Sequence, residues 1–250
     1  MISIIIPVLN EADTIGKLLI HLKDNSVEQN ISEIIIVDGG SSDGTREIVT
    51  NILSGRAQSR PYKNLSTALE ETITLITATK GRAIQMNTGA RQAKGSILYF
   101  LHADSLPPKN FDQLIINEVE KGNLAGCFKM KFDHSHWWLQ LASWLTHFKW
   151  RACRGGDQSQ FITKSLFNDI GGYDEKYRIY EDNILINELY KRKQFVVIQE
   201  WIITSARLYN QKGIWTIQYH FWAIYVKCWF GASADDIYRY YKKHIATQSN

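Results

Sequence analysis

Hydrophobic positions fall into two rhythms over the first hundred residues. Residues 2–8, 33–37, 73–77 and 97–101 are near-continuous apolar runs of strand length, whereas 11–25, 44–53 and 81–93 carry apolar positions at helical spacing. Strands alternating with helices predict a parallel sheet, and strands without polar alternation predict cover on both faces. Residues 55–70, "GRAQSRPYKNLSTALE", break the rhythm with polar and turn-forming residues and are expected to form an extended surface loop or insertion. Beyond residue 104, "LPPKNFDQLIINEVEKG" predicts a helix with proline at its start and glycine just past its end. A strand-like "AGCFKMKF", a tryptophan-rich stretch, the glycine-rich "RGGDQSQFI" and "DIGGYDE", a helix containing "YEDNILINELYKRK" and a helical tail follow. No repeat, low-complexity tract or linker is visible. The pattern predicts one α/β unit over 1–210, divided into halves 1–104 and 105–210, with a helical C-terminal extension over 211–250.

Composition adds bounds. A chain of 250 residues with 44% hydrophobic and 22% charged residues can bury a large core. A formal net charge of +4 suits an anionic ligand such as phosphate but is too small and dispersed for nucleic acid. Cys127, Cys153 and Cys228 have neither zinc-site spacing nor an even count, which points to a reducing, cytoplasmic setting. The N-terminal apolar run lacks a basic lead-in and reads as a buried strand. The stretch "IWTIQYHFWAIYVKCWF" carries Gln218, His220 and Lys227 and is not expected to span a bilayer. Within it Trp215, Trp222 and Trp229 recur every seven residues. Trp137, Trp138, Trp144 and Trp150 fall partly at helical spacing and fit core or helix packing better than sugar stacking, while the C-terminal stretch fits core packing, a homodimer contact, or peripheral contact with the inner face of a membrane.

In an open parallel sheet, ligands bind outside the carboxyl ends of the strands. Three of the four strands end in candidate chemistry there. The first ends at Pro7, Asn10 and Glu11. The second ends at Asp38, followed by Gly39 and Gly40, with Ser41, Ser42 and Asp43 as candidate caps. The fourth ends at His102 and Asp104, which alone could be only the polar lip of a buried strand. Lys80 and Arg82 stand at a predicted helix start, where backbone N–H groups and basic side chains attract phosphate. Arg82 and Asn87 are candidate donor contacts, while Arg91 and Lys94 fit a solvated face.

The ordered set "SIIIPVLNEAD", "IIIVDGGSSDGT", "GRAIQMNTGARQAKGSILYFLHADS" and "YEDNILINEL" resembles the family 2 glycosyltransferases, across about the first 205 residues apart from 55–70. "HAD", "GGDQSQFI" and "ITSARLYNQKG" are similar to the subgroup of radical-SAM/selenodomain-associated transferase 2. The resemblance implies a GT-A nucleotide-diphospho-sugar fold, with a mostly parallel central sheet flanked by helices. It implies a metal-dependent, inverting transfer of sugar from a nucleotide diphosphate donor to an unidentified hydroxyl acceptor. It assigns Asp38 to the nucleobase and ribose, with the loop from Pro7 through Asn10 to Glu11 closing around the same nucleotide. It makes Asp104 the last carboxylate of an Asp-x-Asp metal motif and Asp182 the catalytic base, with Glu181 as its neighbour or as a helix-start charge. His102 replaces the first Asp of the motif. An imidazole suits Mn²⁺ better than Mg²⁺, although His102 could instead contact the sugar or fill space. Asp157, after Gly155 and Gly156, could hold a donor or acceptor hydroxyl, and Arg207 and Lys212 are late partners for a diphosphate. Two rivals remain: a nucleotidyltransferase acting on a sugar phosphate, whose glycine-rich Arg-Lys signature after the first strand is missing, and a non-catalytic nucleotide-sugar binding protein.

Overall fold

The apolar runs become β1 (Ile2–Val8), β2 (Ile31–Asp38), β3 (Ile73–Thr77) and β4 (Ile97–Phe100) in a computed structural model that describes residues 1–54 and 72–246. Residues 55–70, expected as a loop or insertion, lie outside the described residues. Between the strands run α1 (Ala12–Asn25), α2 (Thr45–Leu53) and α3 (Arg82–Gln92), at the predicted places. All four strands are parallel, with Ile4 opposite Ile34 on one side and Tyr99 on the other.

Successive strand residues face opposite sides of the sheet, and here both sides are covered. Ile2, Ile4 and Ile6 pack in one layer with Leu18 and Leu22 of α1 and with Phe111 and Ile115 of α4 (Phe111–Glu120). Ile5, Ile35 and Val37 pack in the other with Ala83, Met86 and Ala90 of α3. Each such fully buried aliphatic side chain contributes roughly 1.5–3 kcal/mol. Gly89 lets α3 sit this close, since a Cβ there would lie 2.5 Å from Cγ2 of Ile5. The helix predicted over 106–122 begins only at Phe111, because Ser105 and Leu106 form a short strand β5 (Ser105–Leu106) and both prolines precede the helix.

The remaining elements are β6 (Ala125–Phe132), α5 (Trp137–Leu145), β7 (Gln160–Thr163), α6 (Lys164–Ile170), α7 (Glu181–Lys191), β8 (Val196–Thr204), α8 (Arg207–Lys212), α9 (Ile214–Trp229) and α10 (Ala234–His244). The strands form one sheet in the order β3-β2-β1-β4-β7-β6-β8-β5. The sheet is mixed: β7 is antiparallel to both β4 and β6, β5 is antiparallel to β8, and β6 and β8 are parallel. Periodicity does not reveal β7 or β8. The first carries the buried polar Gln160, and the second is interrupted by exposed Gln199 and Glu200 beside a register shift between Phe128 and Lys129 of β6.

Strand direction fixes where the loops meet. The carboxyl ends of β1, β2, β4, β6 and β8 and the amino end of β7 share one edge of the sheet. α9 and α10 form a hairpin around Ile217, Ile224, Ile237 and Ile245, packed on Tyr177, Ile179 and Tyr180 just before α7. Trp137, Trp144, Trp150, Trp215, Trp222 and Trp229 are exposed, which overturns the core-packing expectation for these six. All three cysteines are free. No helix among the described residues is long and apolar enough to cross a membrane.

Candidate active site

The loop after β1 and the loop after β2 are tied into one wall. The Asn10 backbone N–H donates to Oγ of Ser41 (2.9 Å), and the Ser42 N–H donates to Oδ1 of Asn10 (2.9 Å). The Glu11 N–H donates to Oγ1 of Thr45 (2.8 Å), and the Ala12 N–H to Oδ2 of Asp43 (3.0 Å). Asn10 adopts φ 58°, a left-handed conformation that asparagine tolerates. Asp38 is fully buried and accepts from the N–H groups of Gly40 (3.2 Å) and Ser41 (3.1 Å), with Nε of Arg46 at 3.8 Å. Pro7 lies within β1, opposite Val37, one residue inside the strand end. Gln85 of α3 bridges the strand ends from below, its Nε2 donating to the carbonyls of Val8 (2.8 Å) and Val37 (2.7 Å).

A cluster of charge stands across the cleft. Arg82, at the first turn of α3, places Nη1 3.5 Å from Oε1 of Glu181 and 3.7 Å from Oδ2 of Asp182, at the start of α7. Both carboxylate residues are buried, and neither oxygen of Glu181 accepts a hydrogen bond. Burial works against the Arg82 charge, but Glu181, Asp182 and Asp157 hold the guanidinium firmly ionised. Burial, reinforced by Glu181 and Asp157 and opposed by Arg82, pushes the Asp182 carboxyl up to about 8. Gly156 forms the floor under Asp182, because a Cβ there would lie 2.0 Å from Oδ2. Asp157 stands exposed at the rim, where the cleft walls desolvate its carboxyl enough to raise its pKa against the pull of Arg82.

His102 and Asp104 follow β4 between these walls. Burial and then the charge of Arg82 push the His102 imidazole down to about 3, against a hydrogen bond with the Gly156 backbone, so it is neutral at pH 7. Asp104 is pushed up to about 6 by burial, then Asp157 and Glu11, while Arg207 and Arg82 oppose the rise. Its carboxylate accepts no hydrogen bond among the described residues. No three His, Cys, Asp or Glu side chains among the described residues converge into a complete metal cage. A neutral imidazole and an unpartnered carboxylate nevertheless fit a hard divalent cation that takes its other oxygens from a diphosphate and water.

Arg207, directly after β8, reaches Glu11 across the site with Nη2 3.1 Å from Oε1. The strand directions thus bring Asn10, Glu11, Asp38, Arg82, His102, Asp104, Asp157, Asp182 and Arg207 to one cleft. Two candidates belong elsewhere. Asn87 is 8% exposed: Nδ2 donates to the Tyr173 carbonyl and Glu175, and Oδ1 accepts from the Tyr173 N–H, so it anchors the turn at Tyr173 and both its N–H donors are spent within the fold. Lys212 donates to the carbonyls of Ile245 and Ala246 (2.8 Å each) at the end of α10. Lys80 is exposed, and Arg91 and Lys94 pair with Glu175 and Glu33 on the solvated face.

Sequence reasoning missed the aromatic side of the cleft. Tyr209, Tyr225 and Tyr241, from α8, α9 and α10, all lie within electrostatic reach of Asp157, and burial raises each phenol. Tyr225 also approaches Asn183 and Asp182, and Tyr241 approaches Arg82 and Glu181. Nothing in the local sequence marks these tyrosines, since only the folding of the C-terminal hairpin onto α7 brings them there.

The profile described as glycosyl transferase family 2 matches residues 3–189. The glycosyltransferase AglE of Haloferax volcanii is 37% identical over 106 residues, covering 42% of this chain and 31% of its own length. A PGL/p-HBAD biosynthesis glycosyltransferase of Mycobacterium tuberculosis is 32% identical over 190 residues, covering 73% of this chain and 66% of its own. The chain therefore spans less than two thirds of either relative. The mannosyltransferase PcManGT from Pyrobaculum calidifontis, solved with GDP-Man and Mn²⁺, superposes with a TM-score of 0.64 at 18% identity, covering 89% of this chain and 59% of that one, which supports the GT-A-like architecture. With the motifs standing in order along strand ends that converge on one cleft, and the family profile matching from β1 into α7, this chain belongs to glycosyl transferase family 2.

Proposed function

We propose that the protein transfers a sugar, with inversion, from a nucleoside diphosphate donor to an acceptor hydroxyl, aided by a divalent metal. The observation that carries this reading is the position of Asp104, which Glu11 and Arg207 reach from the wall of the β1 loop and which Arg82 and Asp157, the same groups that act on Asp182, reach from the other side. In this reading 1–104 is the nucleotide-binding half and 105–210 the acceptor half, and the extension over 211–250 closes the acceptor side with Tyr225 and Tyr241. Asp38 receives the base and ribose, and Pro7, Asn10 and Glu11 line the same pocket. Arg82 and Arg207 face the diphosphate, and Asp157 holds a sugar hydroxyl. Asp104 and His102 would hold the metal, Mn²⁺ in preference to Mg²⁺, which when bound offsets the charge of the leaving diphosphate. Asp182 takes the acceptor proton while the acceptor oxygen attacks the anomeric carbon, and a base titrating near working pH suits that task.

The test is donor turnover. Purified protein with UDP-, GDP- and dTDP-sugars should release nucleoside diphosphate in a Mn²⁺-stimulated reaction, with the opposite anomeric configuration in any transfer product by NMR. Asp104→Ala should abolish the metal stimulation. Pyrophosphate release would instead identify a nucleotidyltransferase, and tight donor binding without turnover under any metal would identify a binding protein.

A further inference from the structure

We propose that the α9–α10 hairpin docks on a bilayer containing anionic phospholipid, with Trp229 and Phe230 entering the interface and Lys227, Arg239 and Lys243 receiving headgroup phosphates. Trp215, Tyr219, Trp222, Val226 and Trp229 fall at successive steps of four, three, four and three residues, which is one face of a helix, and all are exposed. That face runs about 21 Å along the 16-residue helix. It ends at the turn, where Trp229 is 86% and Phe230 83% exposed. Tryptophan and tyrosine favour the headgroup level of a membrane because their rings are apolar at one end and polar at the other.

Charge complements the aromatic face. Beside the turn, Lys227, Ala232, Asp236, Arg239, Tyr240 and Lys243 line an open hollow of about 510 Å³. Its one carboxylate, Asp236, is engaged by the Ser233 hydroxyl (2.6 Å) and by Arg239, which leaves the exposed Lys243, and Lys227 over the Tyr240 ring, without an acidic partner there. Along α10, Arg239, Lys242 and Lys243 outnumber Asp235 and Asp236. A second copy of this chain offers the same cationic end with no surplus carboxylate to balance it, whereas an anionic bilayer meets both the apolar face and the charge. The same helix carries Tyr225 into the cleft beside Asp182. The corollary that the acceptor hydroxyl is offered from the lipid surface rests on the transferase reading, while the docking itself does not.

Co-sedimentation of the whole chain with vesicles of phosphatidylcholine, with and without phosphatidylglycerol, tests the docking apart from activity. Binding should require phosphatidylglycerol and weaken with salt. It should fall at least tenfold in Trp229→Ser/Phe230→Ser and in Lys227→Glu/Lys243→Glu, while Asp182→Asn binds as the parent does. The mutated side chains are exposed, so unchanged melting would show that the fold is intact. No vesicle binding, binding indifferent to lipid charge, or a stable dimer that Trp229→Ser/Phe230→Ser converts to monomer would each overturn the proposal.

Discussion

Replacing Asp182 by Asn should flatten the pH dependence of stability in a definite window. Asp182 is buried beside Glu181, and Arg82 is the cation within salt-bridge distance of both, so burial and the second carboxylate push its carboxyl from the ordinary 3.8 up to about 8. The folded chain therefore keeps a proton that the unfolded chain releases. That contribution is complete below about pH 4 and is lost as pH rises to about 8. At ~1.4 kcal/mol for each tenfold change in proton activity, the ceiling over this span is about 6 kcal/mol. Arg82 is 45% exposed, and water reaching the cluster past it screens the charges, which leaves roughly 2–4 kcal/mol as the expected fall. The proton belongs to the Glu181–Asp182 pair, so the readout is a difference between proteins. Urea unfolding of parent and Asp182→Asn at five pH values between 4.5 and 8.5, without metal or nucleotide, gives it. The parent should lose stability relative to the variant throughout that range. Parallel profiles, with a constant difference, would show that Asp182 ionises as an ordinary surface carboxylate and would remove the physical basis for its role as base.

Two further substitutions separate chemistry from scaffold. Gly156→Ala inserts a methyl group 2.0 Å from Oδ2 of Asp182, so the carboxylate must move; kcat should fall about 10- to 100-fold, as an ångström of misplacement costs, while far-UV circular dichroism stays unchanged. Asn87→Ala leaves the Tyr173 N–H and carbonyl without their partners, and should lower unfolding stability by about 2–3 kcal/mol with donor KM unaltered. A raised donor KM in a fully stable Asn87→Ala protein would return that residue to the donor site.

The parallel half of the sheet was legible because its physics is local. Strands buried on both faces must be nearly continuous in apolar residues, and Ile2 through Val8 or Ile97 through Phe100 satisfy that with no help from distant chain. Asp38 and Asp104 could be found for the same reason, since each directly follows such a run. Asn87 misled because an amide within a helix looks identical in sequence whether it faces a ligand or a turn. Its partners Tyr173 and Glu175 lie 86 and 88 residues away. β8 escaped because its bulge and exposed Gln199 and Glu200 erase the alternation that an antiparallel or edge-facing strand ordinarily shows.

What periodicity could not supply was direction, and direction assembles the cleft. Had β7 run parallel to β4, its amino end would lie at the opposite edge and Asp157 would be a strand's length from Asp104. Because β7 is antiparallel, the loop ahead of it returns to the carboxyl ends of β1, β2 and β4, bringing Gly156 under Asp182. Because β6 and β8 run with β4, the chain leaving β8 arrives at the same edge and Arg207 meets Glu11, 196 residues away. The cations of the site come from α3, from α8 and, beside Asp38, from α2, and its carboxylates from the loops after β1 and β4, the end of β2, the loop before β7 and α7. Glu181 adjoins Asp182 in the sequence and Arg46 lies eight residues from Asp38, but Arg82 and Asp157, the other charges that act on Asp182, come from distant segments, so that part of the charge pattern is a property of strand order rather than of any motif.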